Sequence, residues 1–208
     1  MKNKLLKRIA IFAMAALTTV MLTGCGDSND KKGSTSNSGK KVEETSSKKV
    51  TTTDITYDTQ DINLDKCSFK VPANWTEQEI TASSHYLYYP AAADTTTGTS
   101  SVNILIQDVS GSTNINDYYD IKSSLEEQIT SQFSSATNFN FSDFSTEKFD
   151  VFVMEYDVTQ ADVTMHMKQF MPLLGDSTVV ITTTNIGDNV DPDPALVGQI
   201  MTETLQMK

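Results

Sequence analysis

Arginine is almost missing from this chain: Arg8 is the only one in 208 residues. Residues 51–208 carry six lysines against 23 acidic residues, a net charge of −17. An acidic body without guanidinium groups excludes nucleic acid as a partner, because phosphate binding needs clustered basic contacts. Cysteine is scarce as well. Cys25 and Cys67 are the only two, which excludes a disulfide-dense scaffold and a cysteine-rich zinc module. Nine glycines, spread along the chain, leave no phosphate-cradling loop, and no Gly-x-Ser-x-Gly elbow exists. Hydrophobic residues make up 38%, less than a wholly globular chain usually has, so part of the chain packs no core.

What is present is unevenly placed. Met1–Arg8 holds Lys2, Lys4, Lys7 and Arg8 with no acid, and Ile9–Leu22 is apolar apart from two threonines. Fourteen residues fall short of the roughly 20 that a membrane span needs, but they fit the apolar region of a secretory signal over residues 1–24. The segment ends in Leu22-Thr23-Gly24-Cys25. This resembles the lipobox of bacterial lipoproteins. The resemblance implies that the Cys25 thiol receives a diacylglyceryl group and that cleavage makes Cys25 the first mature residue. Two acyl chains suffice for stable anchoring where one is marginal. The expectation is a lipid-anchored protein on the extracytoplasmic face of the cell membrane, with membrane lipid as a partner through Cys25.

Residues 25–53 are serine, threonine, lysine, glycine and asparagine, with Val42 and Val50 as the only apolar side chains after Cys25. Such a segment cannot bury enough surface to offset its ordering entropy, and it reads as a disordered tether. As a flexible coil it spans roughly 30 Å. Its lysine pairs, Lys31-Lys32, Lys40-Lys41 and Lys48-Lys49, read as linker solubility or as contacts to anionic lipid or wall polymer.

Residues 54–208 carry the periodic apolar pattern of one domain. Cys67, Phe69 and Val71 alternate with polar residues as a half-buried strand ended by Pro72 and Asn74. Tyr86–Tyr89 is a short aromatic strand closed by Pro90, and Val102, Ile104, Ile106 and Val109 mark another over about 101–109. Tyr118, Ile121, Leu125, Ile129 and Phe133 then fall on one face, predicting a helix over about 115–134 with Asn114 as its cap. Four strands follow, over 139–148, 150–158, 161–170 and 177–184. Their short joints predict an antiparallel meander. Asp193-Pro194 opens a last helix. The predicted fold is α+β: an antiparallel sheet with two helices packed on it, an α/β/α sandwich.

The Phe-x-Val-Pro-x-x-Trp stretch at Phe69–Trp75, with this order of elements over residues 55–208, is similar to the PsbP-like (DcrB-type) domain. The resemblance implies a small non-catalytic accessory protein without a cofactor.

Candidates for chemistry are few. His85 and His166 are the only side chains able to act as a base at neutral pH. Met165-His166-Met167 has the soft ligands of a copper(I) site, but on a strand His166 points away from its neighbours, and the methionines read as core. Asp188–Asp193 is acidic enough for calcium, but lacks the glycine and distal glutamate of the EF-hand pattern; it reads as a turn and helix cap. Cys67 reads as a buried, inert thiol. Trp75, Tyr86, Tyr88 and Tyr89 read as an aromatic core edge, or else as the lining of a ligand or sugar cleft. No catalytic or metal-binding residue is assigned. The expected function is a surface-anchored binding or accessory module with a protein partner at the cell surface. The alternatives are a small-ligand-binding lipoprotein and an envelope hydrolase.

Overall fold

A computed structural model describes residues 52–81, 85–91, 93, 99–108, 110–160, 162–187 and 189–208. The signal segment, Cys25 and the tether up to residue 51 lie outside the described residues, as do Val109, Ala161 and Asp188.

The elements are β1 (Thr59–Asn63), β2 (Cys67–Pro72), β3 (Trp75–Thr81), β4 (His85–Pro90), β5 (Ser101–Gln107), α1 (Ile115–Tyr119), α2 (Lys122–Gln132), β6 (Thr137–Ser145), β7 (Asp150–Gln160), β8 (Val163–Pro172), β9 (Thr178–Asn185), α3 (Pro194–Thr204) and β10 (Gln206–Met207). Seven strands form one antiparallel sheet in the order β3-β4-β5-β9-β8-β7-β6. The smaller β1-β2-β10 sheet is also antiparallel. The fold is α+β.

Strand alternation divides the apolar residues between two cores. On one face of the large sheet, Leu105, Phe152, Met154, Tyr156, Met167 and Val180 pack against Tyr118, Leu125 and Ile129 of α1 and α2. On the other, Tyr88, Ile104, Val153, Phe170 and Ile181 pack against Phe69 and Val71 of β2 and Val197 and Met201 of α3. The second covering layer is therefore a three-stranded sheet together with a helix, where the sequence predicts a helix alone.

Two further differences have local causes. The stretch predicted as one helix over 115–134 is two, with Ile121 in a non-helical conformation between them. Tyr118 stacks on the Phe152 ring at 5.1 Å, while its neighbour Tyr119 meets the same ring edge-on at 5.3 Å and donates to Asp143 at 2.6 Å. Consecutive helical residues point about 100° apart. Pinning both tyrosines to one ring fixes α1 by itself, and α2 restarts at Lys122 to bury Leu125 and Ile129. Trp75 does not simply follow a strand end: after a two-residue turn it opens β3, which leaves the small sheet and pairs with β4.

The caps follow the sequence closely. Asn114 accepts from the Asn116 N–H at 3.1 Å, and Asp193 accepts from the Ala195 N–H at 2.9 Å. The C-terminal residues close the small sheet. Met207 pairs with Cys67, and Lys208 bonds to the carbonyls of Lys66 (2.9 Å) and Leu64 (2.5 Å).

Candidate functional site

Where α3, the outer side of the small sheet and the β6–β7 turn come together, they leave a groove of about 540 Å3. Phe69 and Ile200 contribute apolar lining, and Thr146, Glu147 and Lys148 contribute the turn. Thr52, Thr53 and Ile55 line it too, so the chain enters the domain along this groove. Thr53, the last residue assigned to the tether from sequence, is held firmly. Its N–H donates to Glu203 Oε2 at 2.7 Å and its hydroxyl to Oε1 at 2.7 Å, and the Gln199 amide bonds to both side chains.

The charged groups of the groove are held in different ways, and two of them form an ion pair. Lys70 pairs with Asp61 at 2.7 Å, and the Lys148 ammonium donates to the Leu205 carbonyl at 3.2 Å. Lys70 N–H, beyond the short β10, is capped by Thr204 Oγ1 at 3.0 Å. The lining contains neither histidine nor cysteine. The groove offers hydrogen bonding and apolar contact.

The residues singled out from sequence are scattered. His85 is buried on β4, and desolvation lowers its pKa; Asn103 lies close enough to pull the other way, in a geometry that leaves its own amide without a well-formed hydrogen bond. His166 is exposed on β8 and sits 2.6 Å from Asp157. Met165 and Met167 point into the helix-covered core, opposite to His166. Asp193 caps α3, and among the described residues no three His, Cys, Asp or Glu side chains gather as metal ligands. Cys67 is fully buried, and burial pushes its thiol up to about 11 against a smaller pull from Lys208. Trp75, Tyr86 and Tyr88 fill the second core: Phe69 meets Tyr88 edge-on at 5.7 Å, and the Tyr88 hydroxyl donates to Glu77 at 2.8 Å.

Two polar arrays were not anticipated. One is a ladder on the uncovered part of the large sheet. Asn140, Glu155 and Lys168 form one rung (3.2 and 2.6 Å), and Asn138, Asp157 and His166 the next (2.7 and 2.6 Å). The Lys168 ammonium holds the Glu155 carboxyl below its ordinary range, with a smaller contribution from Asn140. Asp157 is lowered mainly by the Asn138 amide, then by His166. The other array is a strip of uncharged polar side chains on the helix-covered face. Ser101, Asn103, Gln169, Thr182 and Thr184 are all at most 2% exposed. The β-branched run at Thr178–Thr184 reads as strand in the sequence, and that reading hides how many of its inward positions carry a hydroxyl.

A scan against protein-family models finds no match, and a search of the curated proteins finds none either. Solved structures do match. The solution structure of cyanobacterial PsbP (CyanoP) from Synechocystis sp. PCC 6803 superposes with a TM-score of 0.54 at 11% identity, over 72% of this chain and 92% of that one. The fold is PsbP-like. LpqN of Mycobacterium tuberculosis, described as involved in cell envelope biogenesis, aligns more loosely, with a TM-score of 0.43 at 8% identity over 73% of this chain and 91% of that one. A Bacteroides thetaiotaomicron VPI-5482 protein aligns at 0.45 with 17% identity over 68% of this chain, which spans 45% of that protein. At 11% identity the fold alone is what is shared with CyanoP. Among the described residues no helix is long and apolar enough to cross a membrane.

Proposed function

We propose that the chain is an extracytoplasmic lipoprotein, anchored through a diacylated Cys25, whose PsbP-like domain is a non-catalytic accessory module for a protein partner at the cell surface. The observation that carries this reading is the order of the N-terminal residues. A basic start is followed by a 14-residue apolar stretch and then Leu22-Thr23-Gly24-Cys25. The domain's acidic balance gives it no electrostatic attraction to anionic lipid, so the acyl chains supply the anchoring.

The structure adds support at the point where the tether arrives. Glu203 fixes Thr53 in the groove, so the groove lies on the side from which the chain leaves for the anchor. Its mixed polar and apolar lining, without histidine or cysteine, suits docking better than turnover.

The test is fractionation of cells making the wild type and Cys25→Ser, with palmitate labelling. The wild type is expected in the membrane fraction with label. The variant is expected to lose the label and either remain as uncleaved precursor or be released. A variant that still takes up label and keeps the mature size would overturn the anchoring. Crosslinking from intact membranes addresses the partner: a specific crosslinked protein supports the accessory role, and its absence at saturating crosslinker counts against it.

A further inference from the structure

Thr52 and Thr53 lie on the wall of the groove, and their neighbours fix the direction of the chain there. Tyr57 and Asp58 sit beside Asp191 and Pro192, which lead into α3. Thr53 is bonded to Gln199 and Glu203, towards the other end of that helix. The segment therefore runs antiparallel to α3. The lengths agree: the extended steps from Asp58 to Thr53 cover roughly 16 Å, and the helical steps from Asp193 to Glu203 roughly 15 Å. Continued in the same sense, the residues before Thr52 pass the C-terminal end of α3, where Gln206 and the turn at Thr146, Glu147 and Lys148 wall the groove. That end has a surplus of negative charge. The groove holds Asp61, Glu147 and Glu203 against Lys70 and Lys148. Asp61 is paired with Lys70, and the Lys148 ammonium is turned to the Leu205 carbonyl. Among the described residues, Glu147 and Glu203 are in no ion pair. The last turn of α3 carries no basic residue, although the partial negative charge of a helix C-terminus favours a cation. The residues that arrive at this end are Lys48, Lys49, Val50 and Thr51, with two cations and no acid.

We propose that Lys48-Lys49-Val50-Thr51 docks in this groove as a strap antiparallel to α3, with the lysine pair against Glu147 and the C-terminal end of the helix. In an extended chain Lys49 falls on the same side as Thr53, about 13 Å further on. The Thr53 side chain faces Glu203, so Lys49 faces the acidic end of the groove. A groove of about 540 Å3 is in the range that takes a drug-sized ligand, and so a few residues of peptide. Charge selects this occupant over a second copy of the domain, whose net −17 over residues 51–208 would bring repulsion. Docked, the strap closes the groove to other segments until it lifts. The inference is independent of the anchor at Cys25, so neither experiment decides the other.

The test is limited trypsin digestion of the full chain under native conditions, read by mass spectrometry. Cleavage at Lys31-Lys32, Lys40-Lys41 and Lys48-Lys49 is compared within one molecule, each rate normalised to that in a synthetic peptide of residues 26–53. Where opening is fast, cleavage tracks the population of the open form, and Lys48-Lys49 is expected to be cut at least about tenfold more slowly than the other two pairs. Glu147→Gln, which leaves the bonds of Thr53 intact, should recover about threefold of that protection. Ser68→Tyr, which fills the groove from its floor, should recover more. If Ser68→Tyr does not fold, Glu147→Gln carries the comparison. Two outcomes would overturn the docking. One is a normalised Lys48-Lys49 rate equal to the others. The other is protection left unchanged by Glu147→Gln or by a folded Ser68→Tyr, as it would be if the bonds of Thr53 alone shielded the site.

Discussion

Glu203 holds Thr53 through both carboxylate oxygens, each bond 2.7 Å long, joining residues 150 positions apart. Among the described residues, the domain's hydrogen bonding therefore includes one that composition alone leaves in the tether. Hydrogen bonds to a charged group contribute about 1.5–3 kcal/mol net, toward the low end where the site is half-buried. A chain beginning at Asp54 is expected to fold but to be less stable than one beginning at Thr52, by about 1–2 kcal/mol in urea unfolding. Coincident midpoints for the two would show that the clamp adds nothing.

Gly198 lets α3 lie close to the large sheet. A Cβ there would clash with Thr183 Cγ2 and come within 2.8 Å of Phe170 Cε2. Alanine favours a helix over glycine by about 1 kcal/mol, but overpacking a filled core costs about 1–3 kcal/mol. Gly198→Ala is therefore expected to destabilise the domain, and adding Thr183→Ser should recover part of the loss by removing Cγ2. A double-mutant cycle in denaturant checks this; equal and additive effects would locate the strain elsewhere.

The ladder carboxylates set an acid limit. Glu155 and Asp157 are both held below the ordinary carboxylate value of about 4. A group lowered on folding stabilises the fold above its unfolded pKa, and that contribution fades as pH falls through the folded value. Stability should thus be level near neutral pH and decline below about pH 4. In Lys168→Met the Glu155 titration is expected to move up, and in Asn138→Ala the Asp157 titration. Carboxyl-carbon NMR titration reads both, and unmoved titrations would remove the proposed causes.

Cys67 should behave as core. With its thiol fully buried and pushed up to about 11, it is expected to resist an aromatic disulfide reagent in the native state and react once urea unfolds the chain. Rapid labelling of the native protein at neutral pH would mean that β2 opens locally.

The parts of the fold legible in the sequence were those whose pattern is local. The β6–β9 meander shows as alternation between short joints, and α3 shows by Asp193-Pro194. The break at Ile121 was hidden because its cause lies across the layer, in the ring of Phe152. β1, with only Ile62 as an aliphatic residue in Thr59–Asn63, exists through pairing with β2 and has no periodicity of its own. The groove was illegible for the same reason: it joins residues near 53, 70, 147 and 203, which only the folded chain brings together. The buried strip was partly visible, since Asn103 and Gln169 interrupt apolar strands, but no single strand shows that they lie side by side.

The closure of the small sheet by β10 ties folding to the order of synthesis. β2 gains its second neighbour only when Gln206 and Met207 arrive, and β5 finds its inner partner only in β9. A ribosome that has made the first half of the domain has produced β3, β4 and β5, with β5 still lacking its partner β9. Closure of the domain therefore waits for its last residues, which bring β10 onto β2.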